Sequence, residues 1–174
     1  DQDSLIFITG LSEIDAVLGN DEKFIQDVEE AARELKPAFI ALAGSPIPYM
    51  SGTDFPALAH IIEANIGIPV FAVPTNGMHD YVRGAGTALE KLAEKFVTER
   101  PEKIQPHTVN LLGVTPLDFG PQCCVDILKN NIERCGWKVL STWAMGDNLQ
   151  TLAGAGEAEV NLVVSSVGLQ TAGY

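Results

Sequence analysis

Ala38-Phe-Ile-Ala-Leu-Ala-Gly-Ser-Pro-Ile-Pro-Tyr-Met-Ser-Gly-Thr-Asp54 is the stretch whose reading fixes the fold class. Its first part, Phe39 to Ala43, is a short unbroken apolar run between Pro37 and Gly44, which suits a strand buried on both faces of a parallel sheet. Gly44, Ser45, Pro46 and Pro48 then break regular structure. Thr53 or Asp54 is placed to cap a new helix, with Pro56 early enough that its missing N–H costs nothing. Strand, loop and helix in that order put residues 44–52 just beyond the carboxyl end of a parallel strand, the edge at which open α/β sheets bind ligands.

On the upstream side, Ser4 to Thr9 is short and β-rich and is broken by Gly10, which predicts a strand. Asn20 or Asp21 can cap a helix in which Phe24, Val28, Ala31, Ala32 and Leu35 recur at helical spacing, ended by Pro37. Downstream, Phe55, Leu58, Ala59 and Ile62 repeat that spacing and Gly67 closes the helix. Ile68 to Val73 then gives another buried strand, stopped by Pro74-Thr-Asn-Gly77, and Leu89, Leu92, Ala93 and Phe96 mark a third helix. Ser4–Thr9, Ala38–Ala43 and Ile68–Val73 are expected as adjacent parallel strands.

The charged, proline-flanked stretch Thr98 to Pro106 reads as a boundary. Residues 1–100 are thus one Rossmann-like α/β domain and 101–174 a second such unit, truncated at its C-terminus. In the second, Thr108 to Leu112 is a strand, Gly113 to Gly120 a loop, and the next helix carries Cys124, Ile127, Leu128 and Ile132 inside. Val139 to Trp143 is a strand, Asn148 to Ala153 a short helix and Val160 to Val164 a last strand. The fold class is α/β, with Rossmann-like parallel sheets, helices on both faces and right-handed crossovers.

Composition narrows the function classes. Eleven basic residues against 23 acidic ones give a formal charge of −12, which repels phosphate backbones and anionic headgroups. No nucleic acid and no membrane partner is expected, and no apolar run approaches the ~20 residues of a span, so a cytoplasmic setting follows. Cys123, Cys124 and Cys135 are odd in number and form no Cys-x-x-Cys pair, which reads as reduced thiols rather than a disulfide or zinc framework. The missing initiator Met and a C-terminus close to an apolar strand read as a fragment of something longer.

The loops carry the chemistry. Gly44-Ser-Pro-Ile-Pro has neither the Gly-x-Gly-x-x-Gly spacing of a dinucleotide loop nor a Gly-Lys-Ser/Thr run. Arg83-Gly-Ala-Gly86 falls within or just before a helix, so helix packing explains its glycines. His79 and Asp80 are an acid–base or metal-ligand pair, or else solvated loop residues. Cys123-Cys124 near a helix start is either a thiol of lowered pKa or packing, Cys124 being on the apolar stripe. Ser45 and Ser165 follow strands but lack the surround of a nucleophile elbow. Ser45, Tyr49, Ser51, Thr53, Asn76 and His79 are expected along one edge of the sheet, with an anion favoured beside Thr53 at a helix start.

Taken in order, these segments resemble component 1 of nitrogenase, the molybdenum–iron protein and its relatives, over nearly the whole chain. Leu11-Ser-Glu-Ile-Asp-Ala-Val-Leu-Gly19 is similar to that family's Leu/Met-Thr-Glu-x-x-x-Val-Phe-Gly segment, and Ser45-Pro-Ile followed by Gly52-Thr-Asp54 resembles its Cys-Pro-Ile…Gly-Asp-Asp loop. Val139-Leu-Ser-Thr-Trp143…Gly146-Asp-Asn-Leu149 and Ala158-Glu-Val-Asn-Leu-Val163 resemble motifs of the α-type subunit.

The resemblance implies an oxidoreductase subunit that lines a cofactor or substrate cleft, pairs with a homologous subunit, takes electrons from a partner reductase and acts on a small-molecule substrate. It puts Ser45 and Ser165 at cofactor positions; with Thr53, Asn76 and His79, which the strand-end topology sets on the ligand edge, these are the residues expected at cofactor contact, and the resemblance implies that an isolated fragment is inactive. Family members hold iron–sulfur clusters through cysteines, but Ser45 and Ser165 stand at two such positions, and serine is a far poorer donor to iron than thiolate. This leaves a second reading, a non-catalytic member that uses the fold for small-molecule binding or subunit assembly.

Overall fold

A strand needs a neighbour as well as a β-rich sequence, and that requirement shapes the first half of the molecule. The computed structural model describes residues 5–10, 15, 19–97 and 103–174. Helix α1 (Asp21–Leu35) starts where the Asn20 side chain accepts from the Lys23 amide and stops at Lys36, whose left-handed φ of 46° ends the helical path. Strand β1 (Ile40–Ala43), helix α2 (Pro46–Met50), helix α3 (Phe55–Ile66) and strand β2 (Val70–Val73) follow. β1 and β2 pair in parallel, with Ile40 opposite Val70 and Ala43 opposite Val73. Val28, Leu42, Leu58, Ala59, Ile62 and Val70 form the core here, and Phe24 of α1 meets Phe55 of α3 edge-on at 5.9 Å. Each large side chain so buried contributes about 1.5–3 kcal/mol.

The expected strand at Ser4 to Thr9 is corrected by the structure. Leu5 to Gly10 carry no regular structure, and Ile6 and Ile8 are 91% and 83% exposed. Side-chain composition gave that segment its strand propensity, but the energy of a strand comes from cross-strand pairs and burial, and here it has neither. Of Leu11 to Gly19, all but Asp15 and Gly19 lie outside the described residues, as does Ser4.

The chain divides into two compact units, Asp1–His79 and Asp80–Tyr174. The second opens with helix α4 (Tyr81–Phe96), capped by the Asp80 carboxylate accepting from the Arg83 amide. Although the sequence places this helix before a boundary near residue 100, its Leu89 and Ala93 pack with Leu112, Trp143, Leu152 and Val167 of this unit. Residues 98–102 of that boundary lie outside the described residues. Gly86 belongs to the same contact: a Cβ there would lie 3.1 Å from the Val167 carbonyl oxygen, so the glycine serves helix packing.

Strand β3 (Gln105–Leu112), helix α5 (Pro116–Phe119), helix α6 (Gln122–Arg134), strand β4 (Lys138–Ser141), helix α7 (Leu149–Ala153), strand β5 (Ala158–Val163) and helix α8 (Leu169–Gly173) complete the chain. The sheet is parallel throughout, in the order β4-β3-β5. Successive residues of central β3 face opposite ways: Leu112 joins α4 and α7 on one side, while Val109 and Leu111 join Val125 of α6 and Met145 on the other. Helices therefore cover both faces of this sheet, as expected.

Two details depart from the sequence reading. On α6 the buried stripe is Val125, with Leu128 and Ile132 packed beside it, whereas Cys124 and Ile127 are exposed. A one-residue error in helical phase rotates a face by about 100°, enough to turn these two outward. The second detail is a polar tie inside the sheet. Asn110 of β3, 3% exposed, donates through Nδ2 to Ala155 O and Asn161 Oδ1, both at 2.8 Å, and accepts from Ser141 Oγ at 2.7 Å. One side chain thus links all three strands with its hydrogen-bonding groups satisfied.

Candidate functional site

The two parallel strands of the first unit deliver their following loops side by side. Thr75 Oγ1, beyond β2, donates to the Gly44 carbonyl, beyond β1, at 2.9 Å. A Cβ on Gly44 would lie 2.6 Å from the Thr75 carbonyl oxygen, and one on Gly77 2.8 Å from Pro46 Cδ. Both glycines are required by close approach, which brings Ser45 and Asn76 onto adjoining loops. Ser45 is exposed at the start of α2 and its side chain makes no capping bond there. Asn76 is buried and its Oδ1 accepts from the Met78 amide at 2.9 Å, so part of its hydrogen bonding holds the turn. His79 is exposed at the end of the same loop.

Thr53 sits half-buried beyond α2, its hydroxyl 3.3 Å from Ser51 Oγ. The helix start beside it is already capped: Asp54 Oδ1 accepts from the Ala57 amide at 3.0 Å. A carboxylate in that place satisfies one of the N-terminal amides and its negative charge complements the helix dipole, which weakens the attraction for a second anion. The same two loops expose apolar surface at Ile47, Tyr49, Met50 and Met78.

In the second unit, β3 and β5 end beside one another, and the chain turns to opposite sides of β3 on its way to β4 and β5. Ligands of open α/β sheets gather at such a switch point. Here it is tightly packed. Ser165 Oγ donates to the Gly113 carbonyl at 2.7 Å, and a Cβ on Gly168 would meet the carbonyl carbon and oxygen of Leu112 at 2.5 Å. Beside it, the buried Thr115 hydroxyl lies 2.5 Å from Tyr81 Oη and reaches Asp118 Oδ2 at 3.2 Å. Ser165 and the 113–120 loop thus share one edge of this unit.

The turn after β4 is held by Asp147, whose Oδ2 accepts from the Thr142 and Trp143 amides at 2.5 and 2.9 Å. Trp143 is 5% exposed and takes a left-handed φ of 60°, a conformation disfavoured for a bulky residue and kept by those two bonds. Sequence reading found Gly146-Asp147 as a motif but not this role, and it found neither the bonds of Asn110 nor the Tyr81–Thr115 pair, which join residues 31 or more positions apart.

Among the described residues, no group of three or more His, Cys, Asp or Glu side chains is placed to hold a metal ion. The three cysteines lie on α6 or immediately after it, exposed, and none is on a loop at the carboxyl end of a strand. Nor is the Cys124 pKa lowered: partial desolvation and the neighbouring Cys123 thiol raise it. The implied iron–sulfur clusters therefore do not fit this chain: Ser165 spends its proton on Gly113, and thiolates are missing where the resemblance requires them.

The profile of the family described as "Nitrogenase component 1 type Oxidoreductase" matches residues 1–174. The chain is similar to the nitrogenase iron-molybdenum cofactor biosynthesis protein NifE of Methanosarcina barkeri, 26% identical over 172 residues, covering 92% of this chain and 36% of that protein. It is also similar to the nitrogenase molybdenum-iron protein alpha chain of Clostridium pasteurianum, 25% identical over 160 residues, covering 91% and 29%. It spans about a third of the length of these relatives. A solved structure titled "Nitrogenase Cp1 at pH 5" shares the fold with a TM-score of 0.74 at 22% identity, over 93% of this chain and 32% of that one. Among the described residues, no helix is long and apolar enough to cross a membrane.

Proposed function

The chain belongs to the nitrogenase component 1 type oxidoreductase family, and on that premise we propose that it supplies part of the wall of a cofactor or substrate cleft in such a subunit. The subunit pairs with a homologous one, takes electrons from a partner reductase and works in the cytoplasm on a small-molecule substrate. One observation carries this reading: the loops after β1 and β2 are locked together by the Thr75 bond to Gly44, which sets polar side chains along the ligand-binding edge of a parallel sheet. Ser45, Thr53, Asn76 and His79 are the contacts proposed in the first unit, and Ser165 the one in the second. Thiolate ligation of a cluster is left out of the role, because the donor set does not fit it.

Chemical-shift mapping of the chain with small polar ligands tests the proposal. Perturbations at residues 44–54 and 74–79 are expected; perturbations around Pro37 and Gly67, at the opposite edge, would refute it. A second reading, subunit assembly without catalysis, is favoured by the apolar exposure of Ile47, Tyr49, Met50 and Met78 on these loops. Iron content and the visible spectrum of the anaerobically purified full-length protein distinguish the two: iron with charge-transfer bands supports the oxidoreductase, and a colourless protein that still assembles supports the second.

A further inference from the structure

Helix α6 carries a feature that the proposed role does not use. Cys123 and Cys124 are adjacent in its first turn and both are exposed. Val125, the next residue, is fully buried and fixes this turn against the sheet. Two thiols on a rigid, solvent-facing turn have few reactions open to them. A disulfide between them is disfavoured, because consecutive Cα atoms are about 3.8 Å apart whereas disulfides need roughly 4.4–6.8 Å. The pair therefore persists as a dithiol, and a dithiol chelates any soft centre that can form two bonds to sulfur.

We propose that Cys123 and Cys124 form a chelating site for a thiophilic electrophile of the trivalent-arsenical type, bound through both sulfurs. With an arsenoxide the step balances without an oxidant. The arsenic–oxygen double bond is lost, two arsenic–sulfur bonds form, and both thiol protons leave with the oxygen as one water. Cys135 is an internal control. It lies exposed at the far end of α6, roughly 16 Å away by helical rise, and offers a single sulfur.

Phenylarsine oxide is the probe, applied to the reduced 174-residue chain, with free thiols counted by Ellman's reagent and the adduct weighed by intact mass. One arsenical per chain is expected, leaving one titratable thiol of three, with the adduct resisting glutathione and reversing with dithiothreitol. Cys123→Ser and Cys124→Ser should each weaken capture by at least about 100-fold, the usual gain from making the second bond intramolecular, while Cys135→Ser leaves it unchanged. No adduct, an adduct lost with Cys135→Ser, or equal capture by either single-serine variant would overturn the proposal.

Discussion

Replacing Asn110 by leucine keeps the approximate side-chain volume and removes the polar tie across the second sheet. Three hydrogen bonds disappear, to Ala155 O, Asn161 Oδ1 and Ser141 Oγ. At roughly 0.5–1.5 kcal/mol net for each, the loss is about 1.5–4.5 kcal/mol. Ser141 is only 1% exposed, so its hydroxyl is stranded away from water and the total belongs in the upper part of that range, about 3–4 kcal/mol. Trp137 and Trp143 both lie in the Asp80–Tyr174 unit, so fluorescence during urea unfolding reports on that unit. With a slope of about 2 kcal/mol per molar urea, the midpoint should fall by roughly 1.5–2 M. Adding Ser141→Ala to Asn110→Leu removes the stranded group and should recover about 1–2 kcal/mol as a coupling energy in the double-mutant cycle. A midpoint shift under about 0.3 M, or strictly additive single variants, would refute the idea that Asn110 ties the strands.

Asp147→Ala strips acceptors from the Thr142 and Trp143 amides and should cost about 2–4 kcal/mol by the same assay, with Asp147→Asn losing less because it keeps one acceptor oxygen. Gly168→Ala forces a Cβ to within 2.5 Å of the Leu112 backbone, so the variant should be insoluble or melt without cooperativity; a soluble protein with an unchanged melting temperature would contradict the packing of β3 on the turn after β5. Ile62→Ala empties a fully buried site in the first unit and should lower stability by about 2–5 kcal/mol, read by far-UV circular dichroism. Anaerobic incubation of the chain with iron and sulfide should give no stoichiometric cluster, and Ser165→Cys should not restore one, since a single thiolate is far from the usual shell of four; charge-transfer absorption with matching iron and sulfide would overturn this.

What the sequence revealed follows from the range of the interactions involved. Local signals were legible: the Asn20 and Asp54 caps, the Gly67 stop and the apolar stripes of α1, α3 and α4 depend on residues within a few positions of each other. β1 and β2 were legible as continuous apolar runs, but only β2 is covered on both faces: in β1 Leu42 is buried while Ala41 and Ala43 are exposed, so an apolar run alone overstated its burial. The strand expected before Gly10 failed because pairing is a property of two segments and propensity of one. The phase error on α6 arose where Cys, Val and Ile are mixed with polar residues on every side, so several faces are nearly equally apolar. At the candidate site, the side-by-side strand-end loops were legible from topology, whereas the Thr75 bond to Gly44 and the Tyr81–Thr115 pair depend on spatial contacts between residues 31 and 34 positions apart. The dipole argument for an anion at Thr53 overlooked that Asp54 carries a negative charge of its own into the same place.

The motifs behind the family resemblance separate by what they do physically. Asp147 holds two amides of a strained turn, Asn161 anchors one end of the Asn110 tie, and Asp54 caps α3. Each of these tasks belongs to folding, and each is needed whether or not a cofactor is ever bound. Likeness at these positions therefore testifies to the fold, which is what the structural comparison shows. Chemistry has to be read from the positions proposed to face ligand, and at 45 and 165 the chain presents hydroxyl groups. A hydroxyl at position 165 serves the Gly113 carbonyl with the geometry of an ordinary structural hydrogen bond, a role that a thiol, with its longer and weaker bonds, would fill less well. Ser165 is in this sense suited to closing the crevice between the β3 and β5 loops, with its oxygen left to accept from a polar ligand, rather than to ligating iron. A ligand at this edge of the second unit would rest on the closed turn and meet Thr115, Tyr81 and Asp118 as well, a set of hydrogen-bonding oxygens fitted to a polar molecule and without the thiolates of an iron–sulfur cluster.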